Sequence, residues 1–123
     1  MIRVVLPLRL VSEANARCHW SQKARRVKEH RQVTHMALAG AVAALPAHAL
    51  RIQVLVTRIA PRKLDSHDNL RVAAKGVVDG IADALGIDDG DPRMTWSYQQ
   101  EIRRKERGVQ PYGVRIEIVT VEP

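Results

Sequence analysis

The stretch LRIQVLVTR (residues 50–58), followed after a basic turn by DNLRVAAKGVVDGIADAL (residues 68–85), decides the fold. In the first, Leu50, Ile52, Val54 and Val56 fall on one side and Arg51, Gln53 and Thr57 on the other, the period of a half-buried strand. In the second, Leu70, Ala74, Val77, Ile81 and Leu85 recur at threes and fours, which predicts one helix from Asp68 to Leu85 with a continuous apolar stripe. Gly86 stands where the left-handed residue that ends a helix belongs. A strand and a helix that are each apolar on one side bury those sides against one another, so the pair forms the nucleus of a layered domain.

Downstream, Asp88-Asp89-Gly90-Asp91-Pro92 reads as an acidic turn, and Met94 to Ile102 alternates as a strand. Glu101 to Gly108 is highly charged, and Pro111-Tyr112-Gly113 turns the chain. In the last strand Val114, Ile116 and Ile118 alternate with Arg115, Glu117 and Val119. Upstream, residues 2–6 read as a short strand and residues 7–19 as irregular. A long helix is expected from Trp20 to Leu45, capped by Ser21 and stopped by Pro46. Its second half, from Met36, is Ala-rich and expected to pack tightly. The predicted order is β-α-β-α-β-β: an α+β fold with a mixed sheet and two helices, one domain over residues 1–123.

With two Trp, two Tyr and no Phe, aliphatic side chains must build the core, and Trp20 and Trp96 are expected within it. A single cysteine, Cys18, excludes an internal disulfide framework, and the five histidines show no zinc spacing with it. No stretch reaches the ~20 apolar residues of a membrane span, so the expected location is the cytoplasm. Twenty Lys and Arg against thirteen Asp and Glu give a net charge of +7. Such a surface attracts polyanions, and without a basic amphipathic helix to lie on a membrane the expected partner is nucleic acid. Lys23, Arg25, Arg26 and Lys28 on the first helix, with Arg62 and Lys63 before the second, are the candidate phosphate contacts. The scarcity of aromatics argues against single-strand binding as the main task.

Against this basic background, seven of the thirteen acidic residues lie between Asp65 and Asp91. Asp65 and Asp68 precede the second helix, Asp88, Asp89 and Asp91 follow it, and Asp79 and Asp83 lie on it in an i, i+4 stripe with Lys75. Carboxylates gathered together favour a hard cation such as Mg²⁺, which takes oxygen ligands and a phosphate. Each has a plainer reading too: Asp68 as a helix cap, Asp88 to Pro92 as turn chemistry, Asp79 and Asp83 as a solvated face. The two ends of such a helix are also roughly 25 Å apart at 1.5 Å per residue, so spacing does not unite them.

The run Arg62-Lys63-Leu64-Asp65-Ser66-His67-Asp68-Asn69-Leu70, then Lys75, Asp79 and Gly86-Ile87-Asp88-Asp89, resembles the RusA family of Holliday junction resolvases. Asn15, Arg17 and the basic helix extend the likeness more loosely. The resemblance implies a homodimeric, Mg²⁺-dependent endodeoxyribonuclease of bacterial or phage origin (Mn²⁺ serving as well) that resolves branched duplex DNA by paired nicks, with no small-molecule cofactor. By the same resemblance Asp68 and Asp89 are metal ligands, with Asp65 as the third, Lys75 is the catalytic lysine, and the acids share one site, which Asp88 or Asp91 is expected to support. Two positions depart from the family pattern. Ser66 stands where its first aspartate usually does, with Asp65 as substitute, and Lys75 lies seven residues beyond Asp68 rather than about four. A DNA-binding protein without cleavage, or a nuclease for other branched DNA, is the alternative expectation.

Overall fold

A computed structural model describes residues 1–12, 20–42, 51–65 and 67–121, without the side chains of His67 and Asp68. Four strands, β1 (Ile2–Leu6), β2 (Arg51–Ala60), β3 (Met94–Ile102) and β4 (Gly113–Val121), form one mixed sheet in the order β1-β4-β2-β3. The last strand lies between the first two, antiparallel to both, with Val4 opposite Ile116 and Val54 opposite Ile118. The β2 and β3 strands run parallel, joined through α2 (His67–Ala73) and α3 (Lys75–Leu85). The long helix α1 (Trp20–Val42) packs on α3. The expected α+β fold with a mixed sheet is the observed one.

The alternating apolar residues explain the layers. Ile52, Val54 and Val56 of β2 and Val114, Ile116 and Ile118 of β4 form a core with Leu38 of α1 and Ala73, Ala74, Val77 and Ile81 of the crossover. The chain after β1 adds Leu8 and Leu10. Thr57, expected on an outer side, is fully buried because Gln99 Nε2 donates to its Oγ1 at 2.9 Å and Arg115 lies opposite it in β4.

Three expectations are corrected. The predicted second helix is two, separated at Ala74, whose backbone (φ −87°, ψ 0°) leaves the helical region. Hydrogen bonds of helical span still reach Ala74 from both sides: its N–H donates to Leu70 O at 3.0 Å, and Val78 N–H donates to its carbonyl at 2.9 Å. Secondly, α1 begins at Trp20, so Ser21 is inside it rather than capping it, and residues 43–45 lie outside the described residues. Its Ala-rich half does not pack on all sides. Leu38 is buried while Met36 is 80% exposed, because the buried stripe of α1 runs through His30, Thr34 and Leu38 and Met36 lies off it. Thirdly, Trp20 is 75% exposed rather than in the core.

The contact between α1 and α3 brings their backbones close together. A Cβ on Gly76 would stand 2.6 Å from Val27 O, and one on Gly80 2.6 Å from Arg31 O, so only glycine admits this approach. The C-terminus of α3 closes as the sequence predicts. Gly86 is left-handed (φ 70°), its N–H donates to Asp83 O at 3.2 Å, and Ile87 N–H donates to Ala82 O at 3.2 Å, a Schellman motif. Among the described residues no helix is long and apolar enough to cross a membrane.

Candidate functional site

The acidic turn does not continue outward from α3. After the Schellman reversal it folds back along β3, where Trp96 Nε1 donates to the carbonyl of Asp89 at 2.9 Å. Asp89 is thereby carried to the flank of the crossover helices. Two adjoining hollows of about 580 and 430 Å³ share Arg71, Val78, Asp89 and Tyr98; the first adds Trp96 and Ser97, and the second Val72, Lys75 and Asp79. Residues from the start of the crossover and from the turn beyond its end therefore face one open depression.

Local structure explains each position. Arg71, Lys75 and Asp79 are four apart, so they share one stripe across the break at Ala74. Lys75, the first residue of α3, is exposed, and its Nζ stands 3.6 Å from Asp79 Oδ2. Trp96 and Tyr98 alternate on one side of β3 and form the wall opposite. Burial pushes the Tyr98 hydroxyl above its ordinary pKa, and the Arg71 charge beside it offsets part of that rise.

The other aspartates are placed differently. Asp88 Oδ1 accepts the N–H of Gly90 at 3.1 Å, and that bond, with a smaller contribution from Asp89, holds Asp88 below the usual carboxylate range. Asp91 grips Arg93 through both oxygens at 3.1 Å and also accepts its backbone N–H at 2.9 Å, which lowers its pKa as well. Both sets of bonds belong to the turn and shape the path that delivers Asp89. Asp65 is exposed on the bend before α2 and does not line the hollows. Asp68 falls in the first turn of α2, and its side chain lies outside the described residues, as does Ser66. Asp83 forms an ion pair across α1 and α3 with Arg31.

Among the described residues no three His, Cys, Asp or Glu side chains gather into a ready metal cage. Mg²⁺ does not require one, since it keeps several waters and usually takes one or two carboxylates with a substrate phosphate. Asp89 and Asp79, lining a water-open hollow flanked by Lys75 and Arg71, fit that sparse donor set.

Of the candidate phosphate contacts, Lys23, Arg25, Lys28, Arg62 and Lys63 are exposed, and Arg26 is half-buried. Arg71 and Tyr98 were not anticipated. The signal for Arg71 was its place four residues before Lys75, whereas nothing in the spacing pointed to Tyr98. No model of a known protein family matches the chain, and no curated protein matches it.

Proposed function

We propose that the protein is a divalent-metal-dependent endonuclease of branched DNA, related to the RusA resolvases, acting in the cytoplasm as a homodimer that nicks a four-way junction symmetrically. The observation that carries this reading is the return of Asp89 to a hollow it shares with Lys75, Asp79 and Arg71 on a chain of net charge +7. Carboxylates flanked by cations suit a phosphodiester substrate with a divalent cation: the acids would hold the ion and the cations would meet the phosphate. Asp68 and Asp89 are the proposed metal ligands, with Asp79 beside them and Asp65, Asp88 and Asp91 in support. When bound, Mg²⁺ (or Mn²⁺) supplies Lewis acidity and lowers the pKa of a coordinated water. Lys75 counters the charge that develops on the phosphate, and Arg71 orients a non-bridging oxygen. Lys23, Arg25, Arg26, Lys28, Arg62 and Lys63 hold the flanking backbone without reading bases.

A DNA-binding protein that does not cleave is the second reading, favoured by the engagement of Asp88 and Asp91 within their own turn. A labelled synthetic four-way junction incubated with Mg²⁺ or Mn²⁺ separates the two. Paired nicks that disappear in Asp68→Asn and Asp89→Asn, with junction binding retained, support the nuclease. Binding without nicking by the wild type at several metal concentrations ends it in favour of the second reading. Equal cleavage of flaps and forks makes the substrate branched DNA in general, and sedimentation of the free and junction-bound protein tests the dimer.

A further inference from the structure

A further cavity, of about 180 Å³, opens where β2 ends, and four of its lining residues are cations, Arg9, Arg58, Arg62 and Lys105, beside Ala60, Pro61 and Tyr112. Arg58 is its floor. Arg58 is only 7% exposed, yet among the described residues its Nε and Nη1 donate to neutral acceptors: Leu10 O at 2.9 Å, Arg62 O at 2.6 Å and Gln100 Oε1 at 3.4 Å. Carbonyl oxygens satisfy hydrogen bonds but do not neutralise a charge, and a buried charge is costly without a partner of opposite sign. Among the described residues no carboxylate lines the cavity. Burial first, and then the like charge of Arg9, push the Arg58 guanidinium below its ordinary pKa. Arg9 is held over the Tyr112 ring, 4.2 Å from its centroid, which fixes its planar group at the rim.

We infer that this cavity is an oxyanion site that takes a phosphate group, Arg58 at its base and Arg9, Arg62 and Lys105 around its mouth. Its position selects the source. Gln100, which meets Arg58, and Tyr98, which lines the acidic hollow, stand two residues apart on one side of β3, roughly 7 Å at 3.3 Å per residue. Gln100 also pins the chain leading to Asp65, accepting Leu64 N–H at 2.8 Å. A DNA strand with one phosphate at the hollow thus has a neighbouring phosphate within reach of the cavity. The anion site rests on its own geometry, whereas its assignment to a DNA backbone rests on the reading above.

The test follows the arginine Nε–H resonances of the whole protein by NMR during titration with inorganic phosphate, and then with a short DNA duplex in the absence of divalent metal. Phosphate at millimolar concentration is expected to shift the Arg58 and Arg9 signals, and the duplex to displace it. Because Arg58→Gln removes bonds that hold Leu10 and Arg62, the main variant is Arg62→Gln with Lys105→Gln, both exposed. It should lose at least threefold in phosphate affinity and lower the salt slope of duplex binding by about 1 to 2. Unmoved Arg58 and Arg9 signals, or an unchanged response in the double variant, overturn the site. Phosphate that the duplex does not displace overturns the backbone assignment. A protein that takes phosphate here and nicks no junction keeps this inference while ending the nuclease reading.

Discussion

Arg31 on α1 and Asp83 on α3 meet as a two-pronged pair: Nε donates to Oδ2 at 2.5 Å and Nη2 to Oδ1 at 2.8 Å. The pair joins the two helices whose backbones touch at Gly76 and Gly80. It also takes Arg31 out of the set of cations open to phosphate, although the residue follows Lys28 on the same basic helix.

The pair makes stability depend on acid. The Arg31 guanidinium holds the Asp83 carboxyl below its ordinary value, and Arg115 does the same to Glu101. Folded carboxylates with lowered pKa bind fewer protons than the unfolded chain, so their contribution is fully present above the unfolded value of about 4 and fades as pH falls through the folded one. Thermal melts from pH 6 to pH 3 should show a falling Tm, and Asp83→Asn should flatten part of that slope while changing Tm little at pH 7, since the Arg31 side chain is 51% exposed and that of Asp83 31%, so solvent screens the pair. An identical slope in the variant would assign the acid sensitivity to other carboxylates.

Gly76→Ala and Gly80→Ala should each destabilise the protein by roughly 1–3 kcal/mol, because the added methyl meets a main-chain carbonyl that cannot rotate away. Gly40→Ala, where an added Cβ has nothing within 4 Å, should be neutral or stabilise by up to about 1 kcal/mol. Urea unfolding of the three variants checks the contrast, and equal losses at all three positions would contradict the close helix contact.

Lys75→Gln should slow junction nicking by roughly 10²–10³ while leaving junction affinity within a fewfold, the pattern of a charge used mainly at the transition state. Single-turnover cleavage and anisotropy titration measure the two quantities separately.

Arg71→Gln should weaken binding to all duplex sequences alike and lower the salt slope by about 1, as a phosphate contact does. Tyr98→Phe, which keeps the wall of the hollow but removes its hydroxyl, should leave that slope unchanged.

Much of this was legible because β4 and the first half of β2 alternate and α3 carries an unbroken apolar stripe, whereas the burial of Thr57 and Arg58 breaks the period at the end of β2. The strand order and the pairing of β4 between β1 and β2 are long-range choices that no local period encodes. The break at Ala74 was hidden because its neighbours keep helical spacing, and alanine is the strongest helix former. Of the site, the acids and Lys75 stood out by type and number. Their joining did not, because it depends on the direction in which five residues fold after Gly86, fixed by Gly90, Arg93 and Trp96 through bonds to Asp88, Asp91 and Asp89. The exposure of Met36 was missed because composition reports how apolar a helix is, whereas its partner decides how much of it is covered.

The seat of α3 on α1 has a bearing on how the protein can change. Its reference points are the main-chain carbonyls of Val27 and Arg31, atoms that every amino acid supplies. The outward residues of α1, among them Lys23, Arg25 and Lys28, can therefore be exchanged without moving the helix that carries Lys75 and Asp79. The cationic outer face of α1 and the placement of Lys75 and Asp79 are thus separately adjustable, and drift in the first leaves the second in register.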